Sequence, residues 1–237
     1  MGLILNIETA TRVCSVALAK DGIVLDVKES TEEKSHAALL AVFIDQILKE
    51  RQLTAGQLDA VAVSKGPGSY TGLRIGVSTA KGLCYGANIP LVAVTTLRVM
   101  AKGALEPDLL KNQSKNENMI LCPMIDARRM EVYTALFDTQ LNMIHPIEAK
   151  IIDKDSFHEI LQNNRIVFFG SGAAKCRETI VHENAVFSDQ PEPSASYMAE
   201  LTEEAFREKK FEDVAYFEPF YLKDFIATVP KKNILLK

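Results

Sequence analysis

The sequence predicts an α/β protein built as two lobes of related design. A strand, hairpin, helix, strand, helix order runs once through each half of the 237 residues. Each half also sends a short apolar strand straight into a glycine turn, Gly66-Pro67-Gly68 in the first and Gly170-Ser171-Gly172 in the second. Between them the stretch 106–118 is polar and Asn-rich, which sets the expected boundary between residues 1–105 and 106–237.

The elements follow in order. Leu3–Glu8 and Cys14–Ala19 are mainly apolar runs that read as strands, joined by Thr9-Ala10-Thr11-Arg12, and Asp21-Gly22 turns the chain into a third strand at Ile23–Val27. Glu8 and Thr9 therefore stand at the first turn, where they either face a ligand or simply cap the turn. Glu29–Lys34 reads as a charged loop, and Ser35 as the cap of a helix reaching about Gln52. Positions 37–44, Ala-Ala-Leu-Leu-Ala-Val-Phe-Ile, are all apolar, whereas a one-sided surface helix shows only a stripe. This helix needs cover on two sides, from its own fold or from another chain, and Ala37, Ala38 and Ala41 allow close approach.

After the strand Ala60–Ser64 the chain passes Gly66-Pro67-Gly68 and enters a helix with Ser69, Tyr70 and Thr71 as cap candidates. Free N–H groups at such a place suit an anion, so the loop is either a phosphate cradle or a tight packing turn. It matches neither standard nucleotide fingerprint. Gly72, Gly76, Ala80 and Cys84 recur every four residues, and a glycine inside a helix costs about 1 kcal/mol against alanine, so the bare face implies a close helix–helix contact. Leu91–Val94 is the next strand, and a helix follows from Thr95-Thr96 to about Lys102.

In the second half Ile120–Asp126 and Glu131–Phe137 read as paired strands around Ala127-Arg128-Arg129, with both arginines expected at an exposed turn. A third strand near Glu148–Ile152, a helix from Asp155 to about Asn163, a strand at Ile166–Phe169 and a helix from about Ala195 to Lys209 follow. Tyr216–Leu222 is aromatic-rich and should dock on a domain surface, with the first lobe the candidate.

Composition narrows the function. Apolar residues make up 47% and charged residues 24% of the chain, and no apolar run approaches the roughly 20 residues of a membrane helix, so a cytoplasmic protein with no membrane contact is expected. The net charge of −4 argues against holding nucleic acid unaided, and Lys231, Lys232 and Lys237 read as a solvated end. Cys14, Cys84, Cys122 and Cys176 form no C-x-x-C pair and read as buried thiols, and the histidines show no ligand spacing, so no metal is expected.

Four stretches carry a family resemblance: Asn6–Thr11 with Cys14–Ala17, the run Gly66–Gly76, Asp126-Ala127-Arg128 with Glu131-Val132-Tyr133, and Pro219–Lys223. Together they resemble the bacterial TsaB (YeaZ) family, the dimerisation subunits of tRNA threonylcarbamoyladenosine (t6A) biosynthesis. The resemblance implies a two-lobed ASKHA architecture, actin/hexokinase/Hsp70-like and ribonuclease H-like. It further implies a non-catalytic subunit that binds and supports the transferase TsaD in modifying adenosine 37 of ANN-decoding tRNAs, with the ATPase TsaE joining and tRNA reached only through the complex. No cofactor is expected to be tightly bound, although ATP or ADP at a complex interface fits the resemblance. Where TsaD carries a His-x-x-x-His pair, this chain has Thr96 and Met100, so the transfer site is expected to be missing. Glu8 also replaces an Asp common in the superfamily, and Ala10 a Ser common in the family.

The expected contact with TsaD, and with a second copy when TsaD is absent, runs through Ala37, Leu40, Ala41, Ile44, Gly72, Leu73, Gly76, Val77 and Ala80. Glu8, Thr9, Gly66, Gly68 and Ser69 are the candidates for a vestigial nucleotide site. The alternative is an ATP-dependent small-molecule kinase of the same superfamily, for which Glu8 and Asp126 would be the carboxylates. A peptidase is the weakest reading, since no metal pair and no nucleophile with an arguable base is present.

Overall fold

The computed structural model describes residues 1–32, 36–105, 119–188 and 192–223. Ser35 as a cap, the boundary stretch 106–118 and the lysines at 231, 232 and 237 lie outside the described residues.

The first lobe contains β1 (Leu3–Glu8), β2 (Cys14–Lys20), β3 (Ile23–Ser30), α1 (His36–Glu50), β4 (Ala60–Ser64), α2 (Tyr70–Ala87), β5 (Leu91–Val94) and α3 (Thr96–Ala104). The second contains β6 (Met119–Asp126), β7 (Glu131–Phe137), β8 (Met143–Ile151), α4 (His158–Leu161), β9 (Arg165–Phe169) and β10 (Ala185–Phe187). The chain then forms α5 (Ala199–Arg207) and β11 (Phe211–Glu212). One sheet has the order β11-β5-β4-β1-β2-β3 and the other β10-β9-β6-β7-β8. In each, an antiparallel three-strand meander is extended by two parallel strands on the far side of its first strand. The two sheets are one plan used twice.

Strand alternation divides the first lobe's core into two layers. Leu5, Ile7, Val16, Val61 and Val63 face Leu40, Ile44 and Ile47 of α1 and Val77, Ala80 and Cys84 of α2. On the other side Ile4, Ala17, Ala60, Ala62 and Val92 meet Met198 and Leu201, which lead into and lie on α5. The C-terminal segment thus covers the first sheet, and β11 pairs with β5. A buried bond from Thr202 Oγ1 to Asn6 Oδ1 (2.8 Å) fastens it. Helix α3 joins the lobes: Leu97, Met100 and Ala101 pack against Leu121, Ala135, Phe137, Val167 and Phe169 of the second sheet. Cys14, Cys84, Cys122 and Cys176 are free and buried, and burial pushes the Cys122 thiol up to about 12.

Several boundaries differ from the sequence expectation for identifiable reasons. β3 reaches Ser30 because its edge position leaves charged side chains in solvent, where Lys28 meets Glu50 of α1 (2.7 Å) and Arg51 meets Asp26 (3.1 Å). The helix expected at 155–163 shrinks to α4, because Phe157 immediately before it has φ 64°, outside the helical region. The helix expected at 195–209 begins as a tight 3₁₀ turn, Ala195–Met198, before α5. β10 and β11 span too few residues to show any alternation.

Candidate functional site

The loop Lys65–Ser69 carries the chain from β4 into α2, with Ser69 as N-cap accepting from the Gly72 N–H (3.3 Å). Across it lies the turn after β1. The Ser69 N–H donates to the Ala10 carbonyl (2.6 Å), and Thr9 Oγ1 donates to the Gly72 carbonyl (2.8 Å). A Cβ at Gly68 would collide with the Ala10 carbonyl, one at Gly72 with the Thr9 carbonyl, and one at Gly76 with Thr9 Oγ1. The structure therefore divides the small-residue face: Gly72 and Gly76 are bare so that α2 can lie on the β1–β2 turn of its own lobe, whereas Ala80 and Cys84 share a core cluster with Leu40, Ile44 and Ile47 of α1.

The same packing gathers Glu8, Thr9, Gly68 and Ser69 at one corner beside Gly66, where Glu8, Thr9 and Gly66 are buried, Gly68 is half-buried and Ser69 is exposed. Glu8 and Thr9 have no solvent exposure. Glu8 Oε1 accepts from the Ala10 N–H (2.6 Å), while Oε2 has no hydrogen-bond partner among the described residues. Burial raises the Glu8 pKa from 4.5 to about 7, against the opposing pull of the Ala10 N–H. On its outer side the loop is covered by the C-terminal segment: the Phe220 N–H donates to the Lys65 carbonyl (2.7 Å), and a Cβ at Gly66 would sit 2.6 Å from the Phe220 carbonyl oxygen. Tyr221 packs on Tyr70 with ring centres 4.8 Å apart, and Lys81 Nζ donates to the carbonyls of Ala215 (3.2 Å) and Phe217 (2.8 Å).

Thr96 is buried and shares a hydrogen bond with Ser64 Oγ (2.7 Å). Met100 is buried in the layer between the lobes. Among the described residues no group of three or more His, Cys, Asp or Glu side chains is placed to hold a metal ion. The two carboxylates nominated for a kinase occupy unlike surroundings. Glu8 is sealed in, whereas Asp126 is exposed and ion-paired to Lys175.

The two helices over the first sheet face outward with a different set of residues from those expected. Leu40 and Ile44 of α1, and Gly72, Leu73, Gly76, Val77 and Ala80 of α2, are buried by their own chain and offer no surface. Leu40, Ile44, Val77 and Ala80 pack in the core over the sheet, Gly72 and Gly76 lie on the β1–β2 turn, and Leu73 packs beside Gly66 of the loop before α2. Ala37 and Ala41 are exposed, as are Ala38 and Val42, the last at 45%. On α2 the exposed positions include Arg74, Ser78, Gly82, Gly86 and Tyr85, the last at 85%. A Cβ at Gly82 or Gly86 would meet nothing within 4 Å. Two helical glycines without an intramolecular reason were legible as a second four-residue series, Ser78, Gly82, Gly86, which the buried series masked.

Two sheets of one plan, joined through α3, define a two-lobed α/β protein. The family described as "TsaD: tRNA N6-adenosine threonylcarbamoyltransferase" matches residues 27–231. The chain is 33% identical over 230 residues to the tRNA threonylcarbamoyladenosine biosynthesis protein TsaB of Escherichia coli, covering 94% of this chain and 96% of that one. To the TsaB protein of Haemophilus influenzae it is 30% identical over 230 residues, covering 93% of each. The solved structure of YeaZ from Pseudomonas aeruginosa shares the fold, with a TM-score of 0.78 at 24% identity over 94% of this chain and all of that one. This chain belongs to the TsaB (YeaZ) family, within the wider family of that transferase.

Proposed function

We propose that this chain is a non-catalytic subunit of a t6A-forming assembly, binding TsaD through the outward faces of α1 and α2. Membership of the TsaB family places it in tRNA t6A biosynthesis. The observation that carries the finer reading is the pair of outward faces: Ala37, Ala38, Ala41 and Val42 on α1 beside Ser78, Gly82 and Gly86 on α2 leave small or apolar side chains in solvent with no role inside the chain. Glycines at that cost make sense where another helix approaches closely. The buried Glu8 and the residues at Thr96 and Met100 support a partner's role over a transferase's own. Self-association through the same faces, a nucleotide held at the complex interface, TsaE as a further component and a cytoplasmic setting belong to the same proposal. No described helix is long and apolar enough to cross a membrane.

Co-expression with TsaD tests it. The expected result is a stable co-eluting pair that forms t6A on ANN-decoding tRNA when TsaE, ATP and the threonyl donor are supplied, with no transfer by this chain alone. Transfer by this chain in the absence of TsaD, or no co-elution of the folded proteins, would overturn it.

A further inference from the structure

We infer that Arg128 and Arg129, at the tip of the β6–β7 hairpin, are this chain's contact with the phosphodiester backbone of the RNA substrate. The inference rests on the reading of the chain as a subunit of a tRNA-modifying assembly, and it begins with two backbone outliers. Arg128 has φ 70° and Arg129 φ 52°, consecutive residues in the left-handed region that glycine and asparagine adopt most easily. Long-chain residues held there cost stability, and strain of this kind collects where a function holds the residue in place. Both side chains are exposed.

The local charge pairing singles them out further. Asp126, at the foot of the turn, is paired with Lys175 and also accepts the Arg128 N–H (2.8 Å). Lys175 Nζ in addition donates to the carbonyls of Arg129 (2.6 Å) and Glu131 (2.7 Å), which braces the turn from below. Glu131, on the other side, is paired with Lys223 of the C-terminal segment. The carboxylates beside the hairpin are thus taken by lysines. Neither guanidinium forms a salt bridge among the described residues, although Arg128 lies close enough to Asp126 to help hold its carboxyl below the usual range, and both side chains are exposed.

Guanidinium forks suit phosphate oxygens, which they grip by paired hydrogen bonds. The turn is built from β6 and β7 of the second lobe and not from α1 or α2, the helices assigned to TsaD. Of the other components of the assembly, the RNA is the one that offers phosphate oxygens along its whole length. Two phosphate contacts would not hold RNA to a chain of net charge −4, but they would add to binding by the whole assembly.

The test is tRNA binding by the assembled complex of this chain with TsaD, measured from 50 to 200 mM salt. The variants are Arg128→Asn with Arg129→Asn, and Arg128→Lys with Arg129→Lys. Asparagine tolerates the left-handed backbone, so the first variant is expected to keep or raise the melting temperature while its salt dependence of log K becomes shallower by roughly 1.4–1.8. Over that salt range the wild-type assembly then loses about ten times more affinity than the variant. The lysine pair should keep most of the slope. An unchanged slope in an assembled complex would overturn the inference, as would loss of TsaD binding by the asparagine pair, which would place the guanidiniums on protein. Failure of the wild-type chain to assemble would overturn the subunit reading and this inference with it.

Discussion

Gly72→Ala is expected to lower the stability of the chain by about 2–3 kcal/mol, although alanine is the better helix former by about 1 kcal/mol. The added methyl would enter the Thr9 carbonyl, a backbone atom that cannot turn aside, and the shift would strain the hydrogen bonds tying Thr9 to Gly72 and Ala10 to Ser69. Gly82→Ala, ten residues further along the same helix, should do the reverse and stabilise by about 0.5–1 kcal/mol, because nothing lies within 4 Å of its new Cβ. Denaturant melts of the two variants check this. Equal effects would mean that α2 does not rest on the β1–β2 turn.

Glu8→Gln is expected to stabilise the chain by about 3 kcal/mol at pH 8 and to have little effect near pH 4. The sign follows from the proton count. Glu8 titrates at 4.5 when unperturbed and at about 7 in the fold, so through that window the folded chain holds a proton that the unfolded chain has lost. Stability therefore falls as pH rises from about 4.5 to 7 and stays lower above it. Glutamine keeps the acceptor for the Ala10 N–H (2.6 Å) and removes the buried charge whose Oε2 has no partner. Thermal melts of both proteins from pH 4 to 8 should show a difference that opens over this window. A constant difference would show that Glu8 does not titrate in it.

The sequence was most informative where the period of the element matched its exposure. β1, β2 and β4 are buried and read as apolar runs, and Gly66-Pro67-Gly68 marks the entry to α2. The over-apolar stretch 37–44 was likewise legible as a helix with a surplus of apolar surface. What could not be read was which side of each helix its own sheet would take. Gly72, Gly76 and Ala80 carry the same small-residue pattern as Ser78, Gly82 and Gly86, and only the placement of Thr9 and Ala10 shows that the first set is used up within the chain. Glu8 beside glycine-rich turns reads equally as a ligand carboxylate and as a sealed one, because the closure comes from residues more than fifty positions away. The strain at Arg128 and Arg129 is a backbone property that no side-chain pattern announces.

The affinity of TsaD for the wild-type chain and for the Ala41→Asp, Gly82→Arg double variant tests the central claim most directly. Both positions are exposed, and Gly82 has open space around it, so the variant should fold with a melting temperature close to that of the wild type. An acidic group and a bulky cation placed in a close helical contact should weaken binding by at least about 100-fold, roughly 3 kcal/mol, in a calorimetric titration. A folded double variant that binds TsaD as tightly as the wild type would contradict an interface formed by the outward faces of α1 and α2.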